Sequence, residues 1–281
     1  MERISPSIYS YEVGTTITDT TCTDSPQDNR PATGEKVIIP TIRKYGFLSA
    51  PLIQRAININ GHKTINVKKS LHKMQQQGKV EKFTISFPSE RQDIDVYVLT
   101  KKVREQIGSK SIFRYDMTDI PYILEHLSIS QWHIAVLEEK NSKEIMLYKQ
   151  IKSKGFIAQL PSLIEFKTKL GKKMNICAIP VPKGVHKQDL GRLLTNVITI
   201  DGFLAERNAK IKSYLIVIIC ESQTQIDEVS RLLKEMAETS ELYILYSIDM
   251  MSADDKFDPL SILYEVTRSH EEIELGVFSL R

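Results

Sequence analysis

The chain has 281 residues, 41% hydrophobic and 26% charged, with a net charge of +3, the balance of a soluble protein of two domains with length enough for a large core. No apolar run approaches the ~20 residues of a membrane helix, and the polar start Met1, Glu2, Arg3 predicts no secretory signal. Three cysteines, Cys22, Cys177 and Cys220, odd in number and far apart, argue against a disulfide framework and a zinc site, and the expected place is the cytoplasm or nucleoid.

Residues 1–35 are rich in Thr, Ser, Asp, Pro and Gly, with Glu2, Glu12, Asp19, Asp24, Asp28 and Glu35 against Arg3 and Arg30. Such a segment buries too little surface to order itself. It reads as a disordered acidic tail: either dispensable, or an arm that competes with DNA for a basic face or docks on a partner.

The character of the chain then reverses. Between Lys36 and Lys82 stand ten Lys and Arg residues against one acid, Glu81, so this stretch is strongly basic and the rest of the chain is net acidic. A surface that meets polyanionic phosphates needs this imbalance, because neutralising phosphates releases their counterions.

Residues 36–108 predict helix, helix, turn, helix, two strands and a short helix, the order of a winged helix. The first helix is expected over Val37–Tyr45, ended by Gly46. Ser49 caps the second, with Pro51 in its first turn, and Asn58, Asn60 and Gly61 form the turn after it. Thr64 is expected to cap a third helix, Ile65–Gln77, stopped by Gly78. Val67, Leu71 and Met74 share its core stripe, while Asn66, Lys69, Ser70, Lys73 and Gln77 share a neighbouring one, as a helix entering a major groove requires. Val80–Phe87 and Ile94–Leu99 alternate like a hairpin, the wing, with Arg91 and Gln92 at its tip; Thr100 caps a helix over Lys101–Ile107. The predicted base readers are Asn66, Lys69, Ser70, Lys73 and Gln77, with Lys63, Thr64, Lys68, Lys82 and Arg91 on phosphates. A protein-binding winged helix with a merely solvated basic face is the alternative.

After a linker over Gly108–Ser111, residues 112–281 read as an α/β domain. The expected elements are a helix Asp119–Leu127, strands Trp132–Leu137, Glu144–Gln150, Leu160–Phe166 and Met174–Val181, a helix Lys187–Ala209, strand Tyr214–Cys220, helix Gln225–Ala237 and strand Leu242–Ile248. Apolar strands separated by helices predict parallel βαβ units. Gly184 to Gly191 lacks the spacing of a nucleotide-binding loop.

Glu165, Phe166 and Lys167 spell E-x-K, with which many metal-dependent nucleases place a carboxylate on a divalent ion and a lysine near the attacking water. The partner carboxylate would come from upstream, where Glu144 and Glu139 are nearest, and Ser162 stands where such a nuclease could carry its Asp. The six histidines, His62, His72, His126, His133, His186 and His270, form no i, i+4 pair. No serine elbow is present. Asp249, Asp254, Asp255 and Asp258 form an acidic loop, read as a cation or partner site or as a solvated loop in which Asp258 caps a helix from Pro259.

The run Leu71 to Val80 followed by a wing ending Tyr97, Val98, Leu99, Thr100, then Leu160, Pro161 and Ser162, the strand Asn175–Val181, and the strand Leu215–Cys220 with its helix resemble the replication-relaxation family of bacterial plasmids and conjugative elements. The resemblance implies a winged helix joined to a degenerate restriction-endonuclease-like domain. Ser162, and Ala178 or Pro180, in place of acidic ligands imply a core that kept the fold and lost the metal site. The expected function is therefore sequence-specific binding of double-stranded DNA, as an accessory or regulatory factor in replication, transfer or transcription of a mobile element. No catalysis, cofactor or metal is expected; a homodimer and a replication or transfer protein are the expected partners. A metal-dependent nuclease using Glu165 and Lys167, and an interaction adaptor, are the alternatives.

Overall fold

The computed structural model describes residues 12–19, 34–89, 93–108, 113–153, 155–168, 171–181, 187–207, 214–236, 244–248, 263–268 and 273–278. The protein is mixed α and β, with helices and two sheets, and divides into two compact units, Tyr11–Ser130 and the chain from Gln131 onward.

In the first unit, helix α1 (Glu35–Tyr45) is followed by α2 (Ala50–Ile59), which Ser49 opens by accepting the Leu52 N–H, with Pro51 in its first turn. Asn58 belongs to the last turn of α2 rather than to the turn beyond it, and accepts a hydrogen bond from Gln54 Nε2 at 3.0 Å. Helix α3 (Val67–Gln76) is shorter than expected, and its cap is Asn66, not Thr64: Asn66 Oδ1 accepts the Lys69 N–H at 3.0 Å. Burial sets this boundary, since Val67, Leu71 and Met74 are the buried residues and their spacing starts the helix at Val67.

Strands β2 (Val80–Ser86) and β3 (Ile94–Leu99) pair antiparallel from Val80 opposite Leu99 to Ile85 opposite Ile94. Phe83, Ile85, Val96 and Val98 face the core, Leu48 bridges to Tyr97, and Thr100 caps α4 (Lys101–Gln106). Arg91 and Gln92 of the predicted wing tip lie outside the described residues.

The acidic N-terminal segment contributes an element that composition conceals. Thr16–Asp19 forms strand β1, antiparallel to β2 with Thr16 opposite Ser86 and Asp19 opposite Phe83. Its order comes from the backbone groups at the edge of β2, which lies far along the chain.

Helix α5 (Ile120–Leu137) replaces the predicted helix Asp119–Leu127 and strand Trp132–Leu137. Ile123, Leu124, Leu127, Ile129, Trp132, Ile134 and Val136 are all buried, so the helix is apolar on several faces and its second half imitates a buried strand in periodicity. No proline or glycine interrupts it after Pro121. The division between units falls within α5, not at 108–112, because Phe113, Tyr115, Tyr122 and His126 gather around Phe47 of the first unit.

The second unit holds a seven-stranded sheet in the order β10-β9-β8-β7-β6-β5-β4. Strands β4 (Ser142–Ser153), β5 (Phe156–Lys167) and β6 (Lys173–Pro180) are antiparallel neighbours. Helix α6 (Lys187–Arg207) leads to β7 (Tyr214–Cys220), parallel to β6, and α7 (Gln223–Met236) leads to β8 (Ile244–Ile248), parallel to β7. These are the parallel βαβ units expected from the apolar strands. Strands β9 (Leu263–Arg268) and β10 (Ile273–Phe278), absent from the predicted elements, extend the sheet antiparallel. Leu163, Cys177, Ile179, Ile216 and Ile218 form one core with Val197 and Ile200 of α6 and Ile226 and Val229 of α7. The predicted acidic loop Asp249–Asp258 and the helix from Pro259 begin outside the described residues. Among the described residues no helix is long and apolar enough to cross a membrane.

Candidate nucleic-acid interface

The turn before α3 is built by Gly61, whose φ of +83° suits a residue without a side chain, and by the His62 N–H, which closes on the Ile57 carbonyl at 3.1 Å. It leaves Lys63 and Thr64 exposed ahead of the helix. On α3 itself Lys68, Lys69 and His72 are exposed and Lys73 is half-buried. Among the described residues no acid pairs with Lys63, Lys68, Lys69 or Lys73. The N-terminal end of the α3 dipole adds a partial positive charge beside Lys68 and Lys69.

Two other lysines of the basic stretch, Lys79 and Lys82, are neutralised within the protein. Lys79 Nζ donates to both oxygens of Glu35, at 2.7 and 2.8 Å, and Lys82 Nζ lies 2.8 Å from Asp95 Oδ2. Lys82, predicted on a phosphate, is thus engaged by its neighbour on β3. The single acid of the stretch, Glu81, is half-buried on β2; burial raises its carboxyl pKa, Arg104 lowers it and Asp19 raises it.

The predicted readers separate by geometry. Lys69 and Lys73 lie away from the buried stripe of Val67, Leu71 and Met74. Asn66 is exposed, with its side-chain oxygen committed to the cap. Ser70 turns toward the start of α1: a Cβ on Gly34 would come within 2.5 Å of Ser70 Oγ. Gln77 is half-buried at the C-terminal end, where its N–H bonds to the Lys73 and Gln75 carbonyls. At about 100° per residue the direction opposite the core stripe falls on Lys69, His72 and Gln76. His72 and Gln76, bonded to each other at 3.1 Å, therefore join this face, a placement the helical spacing contained once the buried stripe was centred. A second feature the sequence did not reveal is at the hairpin tip, where Ser89 donates from its N–H and hydroxyl to the Glu12 carboxylate at 3.1 and 2.8 Å.

In the second unit the E-x-K residues stand on β5. Along Ser162–Lys167 the pairing with β6 is regular, so Glu165 and Lys167 share one face while Ser162 and Ile164 take the other. Glu144 pairs with Ile164 and so shares the face of Ser162. The two carboxylates required around a divalent ion thus lie on opposite sides of the sheet, and Glu165 is bound by Lys173 at 3.0 Å. The Ser162 side carries a polar relay: His133 of α5, wholly buried, contacts Ser162 Oγ through Nδ1 at 2.7 Å and Glu144 Oε2 through Nε2 at 2.8 Å. The Glu144 contact assigns the ring proton to Nε2, and Ser162 then donates to Nδ1. Ser162 is wholly buried in the middle of the strand. Cys177 and Cys220 are buried and unlinked, and burial pushes the Cys177 thiol pKa upward. Among the described residues no three His, Cys, Asp or Glu side chains gather as metal ligands.

No family model, no curated protein and no solved structure matches this chain.

Proposed function

We propose that the protein binds double-stranded DNA in a sequence-specific manner. In this reading α1 to α3 and the hairpin β2–β3 make a winged helix, with α3 in the major groove and the hairpin tip against the backbone. The observation that carries it is the contrast among the lysines: Lys63, Lys68, Lys69 and Lys73, on and just before α3, have no acidic partner among the described residues, whereas Lys79 and Lys82 are held by Glu35 and Asp95. A merely solvated face mixes its signs; one left for phosphates does not. Lys69, His72, Lys73 and Gln76 face the bases, and Lys63, Thr64 and Lys68 the phosphates.

The second unit, in the same proposal, is a degenerate restriction-endonuclease-like domain whose ligand position on β5 is sealed by the Ser162–His133 hydrogen bond. It serves self-association or recruits a replication or transfer protein, and two copies meet a two-fold or repeated site. A role in replication, transfer or transcription of a mobile element rests on the family resemblance of the sequence.

Fluorescence anisotropy of the full chain, with duplexes from its own upstream region and a scrambled duplex, at two salt concentrations and with or without Mg²⁺, tests the proposal. Selective, salt-steep binding without cleavage is expected. Absence of binding at low salt overturns it in favour of a protein-interaction adaptor, and Mg²⁺-dependent cleavage abolished by Glu165→Gln overturns it in favour of a nuclease.

A further inference from the structure

The turn Glu12–Thr15 holds an acid against the tip of the hairpin. The Thr15 N–H and hydroxyl both bond to the Glu12 carbonyl, at 3.0 and 2.7 Å, and Thr15 Oγ1 accepts the Glu12 N–H at 3.3 Å. Gly14 has φ +94° and lies so near Pro88 that an added Cβ would be 3.2 Å from its ring, so the turn is fitted to the tip. Strand β1 continues from the turn along β2 and fixes its position. The result is a bidentate contact: one Glu12 oxygen accepts the Ser89 N–H and the other the Ser89 hydroxyl.

A backbone N–H and a hydroxyl converging on two oxygens of one anionic group make an oxyanion seat, and a phosphodiester presents the same pair of oxygens as a carboxylate. Val13 beside Glu12 is 92% exposed, so its side chain does not anchor the turn. We infer that Ser89 is a seat for one DNA backbone phosphate, and that in the free protein Glu12 occupies it as an internal competitor. The inference rests on the DNA-binding reading above and assigns a regulation to it: the acidic arm makes the tip contact conditional on displacing Glu12.

The balance of charge gives the direction of the effect. When DNA approaches, the Glu12 carboxylate repels the incoming phosphate and must leave before Ser89 can donate to it. Replacing the carboxylate by an amide removes the repulsion and weakens the internal bond, so the phosphate contact forms at lower DNA concentration.

The test compares full-length wild type, Glu12→Gln, Glu12→Ala and the double variant Glu12→Gln with Ser89→Ala in anisotropy titrations against one duplex across a salt series, with melting temperatures as a check of folding. Tighter binding by about three- to tenfold at about 50 mM salt, with a log–log salt slope steeper by about one unit, is expected for both Glu12 variants, and a smaller gain in affinity in the double variant, which lacks the same repulsion but has lost the Ser89 hydroxyl. Amide hydrogen exchange at Ser89 supplies an independent readout: faster in Glu12→Gln than in wild type, and slowed again by DNA. Wild-type binding with unchanged or weaker binding by the Glu12 variants overturns the seat and leaves the DNA-binding reading standing. Binding by no variant overturns both. Binding by the Glu12 variants alone supports both.

Discussion

The imidazole of His133 and the hydroxyl of Ser162 lie 2.7 Å apart, both side chains wholly buried, and the other ring nitrogen of His133 reaches Glu144. This relay joins the C-terminal half of α5 to β4 and β5. In the same strand Leu163 and its cross-strand partner Cys177, on the opposite face, belong to the core with α6. His133→Ala removes the imidazole and costs the buried Ser162 hydroxyl its bond, so a destabilisation of about 2–4 kcal/mol is expected in urea denaturation. Ser162→Ala, which leaves only the imidazole nitrogen without its partner, should cost about 1–2 kcal/mol. Neither variant should alter the salt dependence of DNA binding, since both residues belong to the other unit.

The lysines divide into two experimental classes. Lys69→Ala with Lys73→Ala should weaken DNA binding and flatten the log–log salt slope by about one unit for each phosphate that is no longer neutralised. Lys79→Ala should leave the slope unchanged and lower stability by about 1–3 kcal/mol, because Glu35, with a side chain only 13% exposed, is deprived of its bidentate partner. Lys82→Ala should change the slope little, its charge being compensated by Asp95. Equal slopes across all these variants would overturn the assignment of α3 to DNA.

Local patterns carried much of the fold. Ser49 with Pro51, the alternation of Val80 to Leu99, and the apolar run Tyr214–Cys220 each produced the expected element, because cap chemistry and periodicity act within a few residues. What failed depends on distant partners. Thr16–Asp19 is a strand only because β2 offers an edge. Trp132–Leu137 is helical because its apolar residues are buried on several sides, where a 3.6-residue period fades. At the candidate interface, composition located the basic stretch, but not that Lys82 is engaged by Asp95 on the neighbouring strand, that Asn66 turns back to cap its helix, or that Ser70 faces Gly34. The opposite facing of Glu144 and Glu165 follows from strand register, which an E-x-K spelling alone does not contain.

Gly46 ends α1 with φ +79° and ψ −59°, and an added Cβ would stand 2.7 Å from the ring of Phe113. Gly46→Ala therefore meets both a backbone conformation unfavourable to L residues and a close-packed aromatic ring. A destabilisation of about 2–4 kcal/mol is expected from thermal or urea unfolding. Phe113→Ala opens the space that the new methyl would fill, so Gly46→Ala should cost less in that background. Strict additivity would show that the ring is not what limits the position.

His126 sits in the aromatic cluster, with ring centroids 4.2 Å from Tyr122, 5.3 Å from Phe113 and 5.8 Å from Phe47. Burial, aided by the positive charge of Arg114, pushes its pKa from 6.5 down to about 3. In the unfolded chain the ring takes up a proton as the pH drops through the ordinary histidine range, while in the folded protein it stays neutral. The unfolded state then binds more protons, so stability falls with falling pH between 6.5 and about 3 and is unaffected by this ring above that window. The slope from one such group is at most about 1.4 kcal/mol per pH unit. Denaturation between pH 6.5 and about 5, above most carboxylate titration, should show His126→Phe losing less stability per pH unit than wild type. Parallel slopes would mean that the folded protein protonates His126 as readily as the unfolded chain, and that the cluster opens to water around it.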